Sequence, residues 1–193
     1  MNKITKIQIK KIEKFAFEYY RNINEPLHGI EHAKRTVKLA EYLAEKENAN
    51  IQIAKLGALL HQFHDSRIVE FFLQTLKIGK EIIKQLVHCV ECSSMENIRK
   101  AKTIEAKFVY DADKLQVIGP FGIIREIICN MAPPRNRKFH EALKHTKMIE
   151  KRCYKTLQTK TAKKLAKQPH ELVLKFWKVF DEWYKVEFKR LKI

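Results

Sequence analysis

Asp111 and Asp113 stand in the run Asp111-Ala112-Asp113-Lys114-Leu115, inside a longer stretch where Ala106, Val109, Ala112 and Leu115 recur at helical spacing. An ionised carboxylate on a largely buried helix must be compensated by a cation or a basic side chain. Upstream lie candidate co-ligands for such a cation: His28, His32, His61, His64 and Asp65. Imidazoles combined with a carboxylate suit borderline or hard divalent ions such as Mn²⁺, Mg²⁺ or Zn²⁺. Other arrangements satisfy the same residues. Asp113 can pair with Arg125, Asp111 can serve on the helix surface or behind a ligand, and His28 can orient the site. Cys89-x-x-Cys92 beside His88 invites a zinc or redox assignment, but a lone CxxC has no second pair of ligands.

The elements that position these residues are helices. A 3.6-residue period runs from Ile4, Ile7, Ile12 and Phe15 through Ile30, Ala33, Val37, Ala40 and Leu43. Pro26 fits an early position of the second helix, and Asn48 to Asn50 break it before the run Ile53, Leu56, Leu60. Further helices are expected over 68–77 and 81–91, with Gly79 between them. Thr103 is the expected N-cap of the helix bearing Asp111 and Asp113, which Gly119-Pro120 terminates. After an apolar helix over 121–130, Pro133-Pro134 breaks the chain, and two helices and then a last one are expected. That last helix carries Leu172, Phe176, Val179, Phe180 and Trp183, a stripe read as packing surface. The fold class is all-α. No strand, hairpin, internal repeat or Gly-rich phosphate loop is evident.

With 193 residues the chain is long enough for one sizeable hydrophobic core, and its four cysteines lie in helical apolar patterns. Met-Asn-Lys-Ile-Thr-Lys at the start lacks the apolar region of a secretory signal, so a cytoplasmic, reduced setting is expected. The longest uncharged stretches are about half of the roughly 20 residues a membrane helix needs, so no membrane partner is expected. The formal charge is +17, and between Arg135 and Lys167 twelve Lys or Arg face only Glu141 and Glu150. Solvated lysine faces account for such a run, and so does attraction to phosphate-bearing substrates or RNA. Only Phe139 and Tyr154 interleave with it, too few for a base-stacking platform.

Pro26-Leu-His28-Gly-Ile-Glu-His32 followed by Arg35, then Ala58-Leu-Leu-His61, His88 and the stretch from Glu105 to Gly122 resemble the HD-domain metal-dependent phosphohydrolases in order and spacing, and in particular their small stand-alone YpgQ/YedJ-like branch. Thr156 to Trp183 follows the same pattern, so the resemblance covers most of the chain. It implies an HD-type helical bundle with additional C-terminal helices, one domain over 1–193, with a metal-site core over about 22–131 and basic helices over 135–193 packed on it. It implies metal ligation by His32, His61 and Asp113, a place near substrate phosphate for Arg35 and Lys114, and a catalytic place near substrate for His88. The implied reaction is hydrolysis of a nucleotide or related phosphate ester, and nucleoside triphosphate pyrophosphohydrolysis within that branch.

The sequence departs from the family at its defining His-Asp pair, here His61-Gln62, and Gly29 replaces an acidic residue of the first motif. A neutral amide offers an oxygen but no charge, so a divalent ion is held more weakly. Asp65 follows His61 by four residues, about 40° away on a continuing helix, and is expected as an auxiliary ligand or catalytic carboxylate. A shifted register would make His64-Asp65 the working pair. The competing expectation is a degenerate HD domain that binds nucleotide or RNA without hydrolysing it.

Overall fold

In a computed structural model, residues 3–23 and 28–190 are described, the side chains of 187–190 excepted. Pro26 lies outside them. Helices account for the described structure: α1 (Lys6–Arg21), α2 (Ile30–Lys46), α3 (Ile51–Leu60), α4 (Ser66–Thr75), α5 (Lys80–Glu91), α6 (Ile104–Leu115), α7 (Pro120–Met131), α8 (Phe139–Thr156) and α9 (Lys160–Arg190), with a 3₁₀ turn over Ile98–Lys100. No strand occurs among the described residues, and no helix there is long and apolar enough to cross a membrane.

Local chemistry sets the helix starts. The side chains of Thr5, Asn50, Asp65 and Thr103 accept hydrogen bonds from backbone amides of the first turns of α1, α3, α4 and α6. Gly119 turns the chain between α6 and α7 at φ +93°, a conformation that disfavours any Cβ. Gly122 crosses so close to Val117 that a Cβ there would lie 1.9 Å from its carbonyl oxygen. These two glycines set the tight turn from the end of α6 into α7.

Helices α2, α3, α5 and α6 pack together at the centre, with α4 against α5 and α7 against α8. One hydrophobic core runs through α1 to α6 and takes in Cys153, Leu157, Ala162 and Ala166 from the C-terminal helices. A smaller cluster joins Ile123, Leu143, Val173 and Trp177 across α7, α8 and α9.

Two C-terminal expectations are corrected. Two helices, not three, follow Pro133-Pro134, because α9 runs uninterrupted through Pro169. A proline inside a helix costs about 3 kcal/mol; here Ala162, Ala166, His170, Val173 and Trp177 continue one buried face across it, and that burial prevails. Of the stripe Leu172, Phe176, Val179, Phe180 and Trp183, only the half-buried Phe180 packs on the smaller cluster; the other four are exposed, while Val173 and Trp177 pack inward.

Asp111, fully buried, accepts from the backbone amides of Gln158 and Thr159 at 2.8 Å and from the Thr159 hydroxyl at 2.7 Å. It ties the start of α9 to α6. Cys89, Cys92, Cys129 and Cys153 are all buried, and none is in a disulfide.

Candidate metal centre

Three helices deliver three donors to one point. His32 lies in the first turns of α2, His61 caps the C-terminus of α3, and Asp113 sits in the last turn of α6. Their ligand atoms all lie within 4.8 Å of one another, the one such His/Cys/Asp/Glu group found among the described residues. His32 Nε2 is 3.2 Å from His61 Nε2 and 3.3 Å from Asp113 Oδ1, and His61 Nε2 is 3.9 Å from that oxygen.

Both imidazoles are fixed with Nε2 inward. His61 Nδ1 donates to the Ala58 carbonyl at 2.6 Å, and His32 Nδ1 donates to Gln116 Oε1 at 3.1 Å. Gln116 is itself held, donating to Thr36 Oγ1 at 2.8 Å, and Thr36 donates to the His32 carbonyl at 2.9 Å. A proton on each Nδ1 leaves a lone pair on each Nε2, facing the other and the carboxylate. Burial pushes the His61 imidazole down to about 4, so it stays neutral and available as a donor atom. Burial opposes ionisation of Asp113, but the Lys114 ammonium paired with it outweighs burial and holds the carboxyl well below its usual range.

Gln62 completes the cluster. Its Nε2 donates to His61 Nε2 at 3.0 Å and to His32 Nε2 at 3.1 Å. Turning the amide over would present Oε1 at the same place. Two lone pairs, a carboxylate and an amide oxygen within reach form a donor set that fits a divalent cation with open positions for water and substrate.

Lys114 pairs with Asp113 Oδ2 and lies 5.1 Å from the centre of the Tyr110 ring. Asp113 raises its ammonium against the opposing effect of burial, so it remains a cation. Both residues line a cavity of about 740 Å³, with His28, His61, Gln62, His64, His88 and Lys100. That is the size of a nucleotide-scale ligand pocket. His88 accepts from the Lys102 backbone amide at 2.9 Å through Nε2, with Nδ1 3.7 Å from Cys92 Sγ.

The structure does not bring Asp65 to the centre. Helix α3 ends at Leu60, so the 40° offset of a continuing helix does not apply; Asp65 instead caps α4 and forms a forked pair with Arg67. His64 reaches the cavity but not the ligand cluster. Arg35 lies over the Phe121 ring, 4.6 Å from its centre, and lines a separate depression between α1, α2 and α3. Asp113 pairs with Lys114 and the imidazoles, and Arg125 donates to Glu126 at 2.9 Å. Gln116 stands polar in the run Leu115-Gln116-Val117-Ile118 and Thr36 falls at helical spacing between Ala33 and Ala40; neither carries any other sequence signal.

Residues 29–118 match the HD domain family. Over 165 residues, 77% of this chain and 80% of the relative, the sequence is 27% identical to the uncharacterized protein YpgQ of Bacillus subtilis. The crystal structure of that YpgQ in complex with ADP superposes with a TM-score of 0.74, covering 91% of this chain and 97% of that one at 27% identity. The Lin1889 protein of Listeria innocua gives 0.73 at 25% identity, covering 95% and 99%. An HD-superfamily hydrolase from Bacillus thuringiensis gives 0.72 at 24%, covering 93% and 97%, and shares the fold.

Proposed function

We propose that this chain, a YpgQ-like HD-domain protein, is a divalent-metal-dependent phosphohydrolase that acts on a nucleotide or related phosphate ester, with nucleoside triphosphate pyrophosphohydrolysis as the reaction of first choice. The observation that carries this is the convergence of His32 Nε2, His61 Nε2 and Asp113 Oδ1, each backed by a partner that fixes its protonation. The ADP in the YpgQ structure supports a nucleotide in the adjoining cavity.

A divalent cation bound by these three residues supplies Lewis acidity toward a phosphoryl oxygen and lowers the pKa of water. The chain's own groups do the rest. Lys114, charged and at the cavity wall beside Asp113, is placed to pair with a non-bridging phosphate oxygen, and Lys100 stands at the same cavity with His64 and His88. The hydrogen bonds that the imidazoles donate to Gln116 Oε1 and the Ala58 carbonyl keep both rings from rotating as substrate enters. Release of pyrophosphate or phosphate from a nucleotide panel with Mn²⁺, Mg²⁺ or Zn²⁺, lost in His32→Ala, is the expected result. Inertness of folded protein across metals and nucleotides would sink the proposal.

One observation favours a second function, a non-catalytic HD domain that binds nucleotide or RNA: the Gln62 amide already satisfies both Nε2 atoms without an ion. Nucleotide binding that survives His32→Ala without turnover is its signature, and metal-dependent turnover abolished by that substitution rejects it.

A further inference from the structure

Lys114 stands between the ligand cluster and the open cavity. Its ammonium pairs with Asp113 Oδ2, and the residue lines the same cavity as Gln62, His64, His88 and Lys100. Asp113 Oδ1, the other oxygen of that carboxylate, is the one that faces His32 Nε2 at 3.3 Å and His61 Nε2 at 3.9 Å. One carboxylate therefore serves the lysine with one oxygen and the ligand cluster with the other. The Asp113 and Lys114 side chains are each 14% exposed, so the pair meets the cavity but little bulk water, and salt screens its charges weakly.

The charges at the cluster fall short of what a divalent cation demands. Both imidazoles offer neutral nitrogens and Gln62 is a neutral amide, so Asp113 carries the formal negative charge of these four residues and Lys114 offsets it. A cation entering alone must draw on a carboxylate that an ammonium already holds. A phosphate group in the cavity changes this, because a lysine ammonium on its flexible stem moves readily to a phosphate oxygen. Lys100, its Nζ donating to Asn97 Oδ1 at 2.8 Å, adds a second positive charge for phosphate at the same cavity. We propose that Lys114 couples the two ligands of this site: substrate phosphate takes the Lys114 ammonium from Asp113, and the carboxylate so released holds the divalent cation. This coupling, which rests on the metal-dependent phosphohydrolase reading, makes phosphate the source of the charge that Gln62 does not supply. By linkage, the cation strengthens phosphate binding by the same factor.

Mn²⁺ titration of the full chain tests this, with free Mn²⁺ read by electron paramagnetic resonance, inorganic phosphate as the probe and a protein-free phosphate control. No bond is hydrolysed, so the outcome is separate from whether a nucleotide is cleaved. In wild type, excess phosphate should tighten Mn²⁺ binding at least about thirtyfold. Lys114→Met keeps a long side chain beside the Tyr110 ring and removes the charge. It should bind Mn²⁺ alone about tenfold more tightly than wild type, and phosphate should then add only about threefold or less. Lys114→Arg retains the cation and should keep the wild-type response. Gln62→Asp, which leaves Lys114 in place and supplies a carboxylate directly, should bind Mn²⁺ alone more tightly and gain less than wild type from phosphate. Thermal unfolding by circular dichroism in Mn²⁺ verifies that each variant is folded, and Gln62→Asp decides the matter if Lys114→Met is not. Wild-type Mn²⁺ affinity indifferent to phosphate, folded Lys114→Met that binds Mn²⁺ alone no more tightly than wild type, or a wild-type phosphate response in Lys114→Met or Gln62→Asp overturns the inference. So does loss of the response in Lys114→Arg.

Discussion

With Gln62 next to His61, Asp113 contributes the only formal negative charge among the four residues at the ligand cluster, and Lys114 already neutralises part of it. Gln62→Asp should therefore raise divalent-metal affinity at least about tenfold, read by calorimetric titration, while lowering stability in chelator because a second carboxylate then faces Asp113. Unchanged affinity would mean the amide already serves the ion as well as a carboxylate does. His61 sets a pH dependence of the metal-free protein. Its folded value of about 4 lies below the ordinary histidine value of 6.5, so between those limits only the unfolded chain takes up the proton. Stability should fall as pH drops through that window, by roughly 3 kcal/mol in all. Urea titrations in chelator, wild type against His61→Ala, check this: the variant's stability should vary less over the same range.

Between elements, the clamp from Asp111 joins the C-terminal helices to the helix bearing Asp113, beside the hydrogen bond from the Tyr110 hydroxyl to Thr156. Asp111→Ala strands two backbone amides and a hydroxyl at a buried junction, and should cost about 2 to 3 kcal/mol. Hydrogen exchange should show the loss first as faster opening at the start of α9, with α2 and α3 little changed. Equal protection there in variant and wild type would assign the clamp no such role. Most helix boundaries were legible in the chain because Thr103, Gly79, Gly119 and Pro133-Pro134 act locally. The expected break within 135–193 was not legible correctly, because Pro169 is overruled by a buried face assembled from residues on both sides of it.

At the scale of the whole molecule, the basic residues over 135–167 are exposed except the half-buried Arg137; Arg135, Arg137 and Lys138 precede α8 and the others lie on α8 and the start of α9. If these lysines bind single-stranded RNA through four phosphates, affinity should drop about fiftyfold between 50 and 200 mM salt, at roughly −0.7 logarithmic units per contact. Filter binding across that range checks it, and a flat response, or no binding at low salt, leaves the basic faces to water. His32, His61 and Asp113 could be named from the sequence because the order and spacing in which they occur resemble the HD-domain pattern, and order and spacing are properties of the chain itself. What folding alone decided is which polar groups back them. Gln116 reaches His32 across 84 positions, Asp65 turns away because α3 stops at Leu60, and the apolar stripe of α9 faces outward. Periodicity reports that a helix has an apolar face; only the packed neighbours determine where that face points and which hydrogen bonds close behind the ligands.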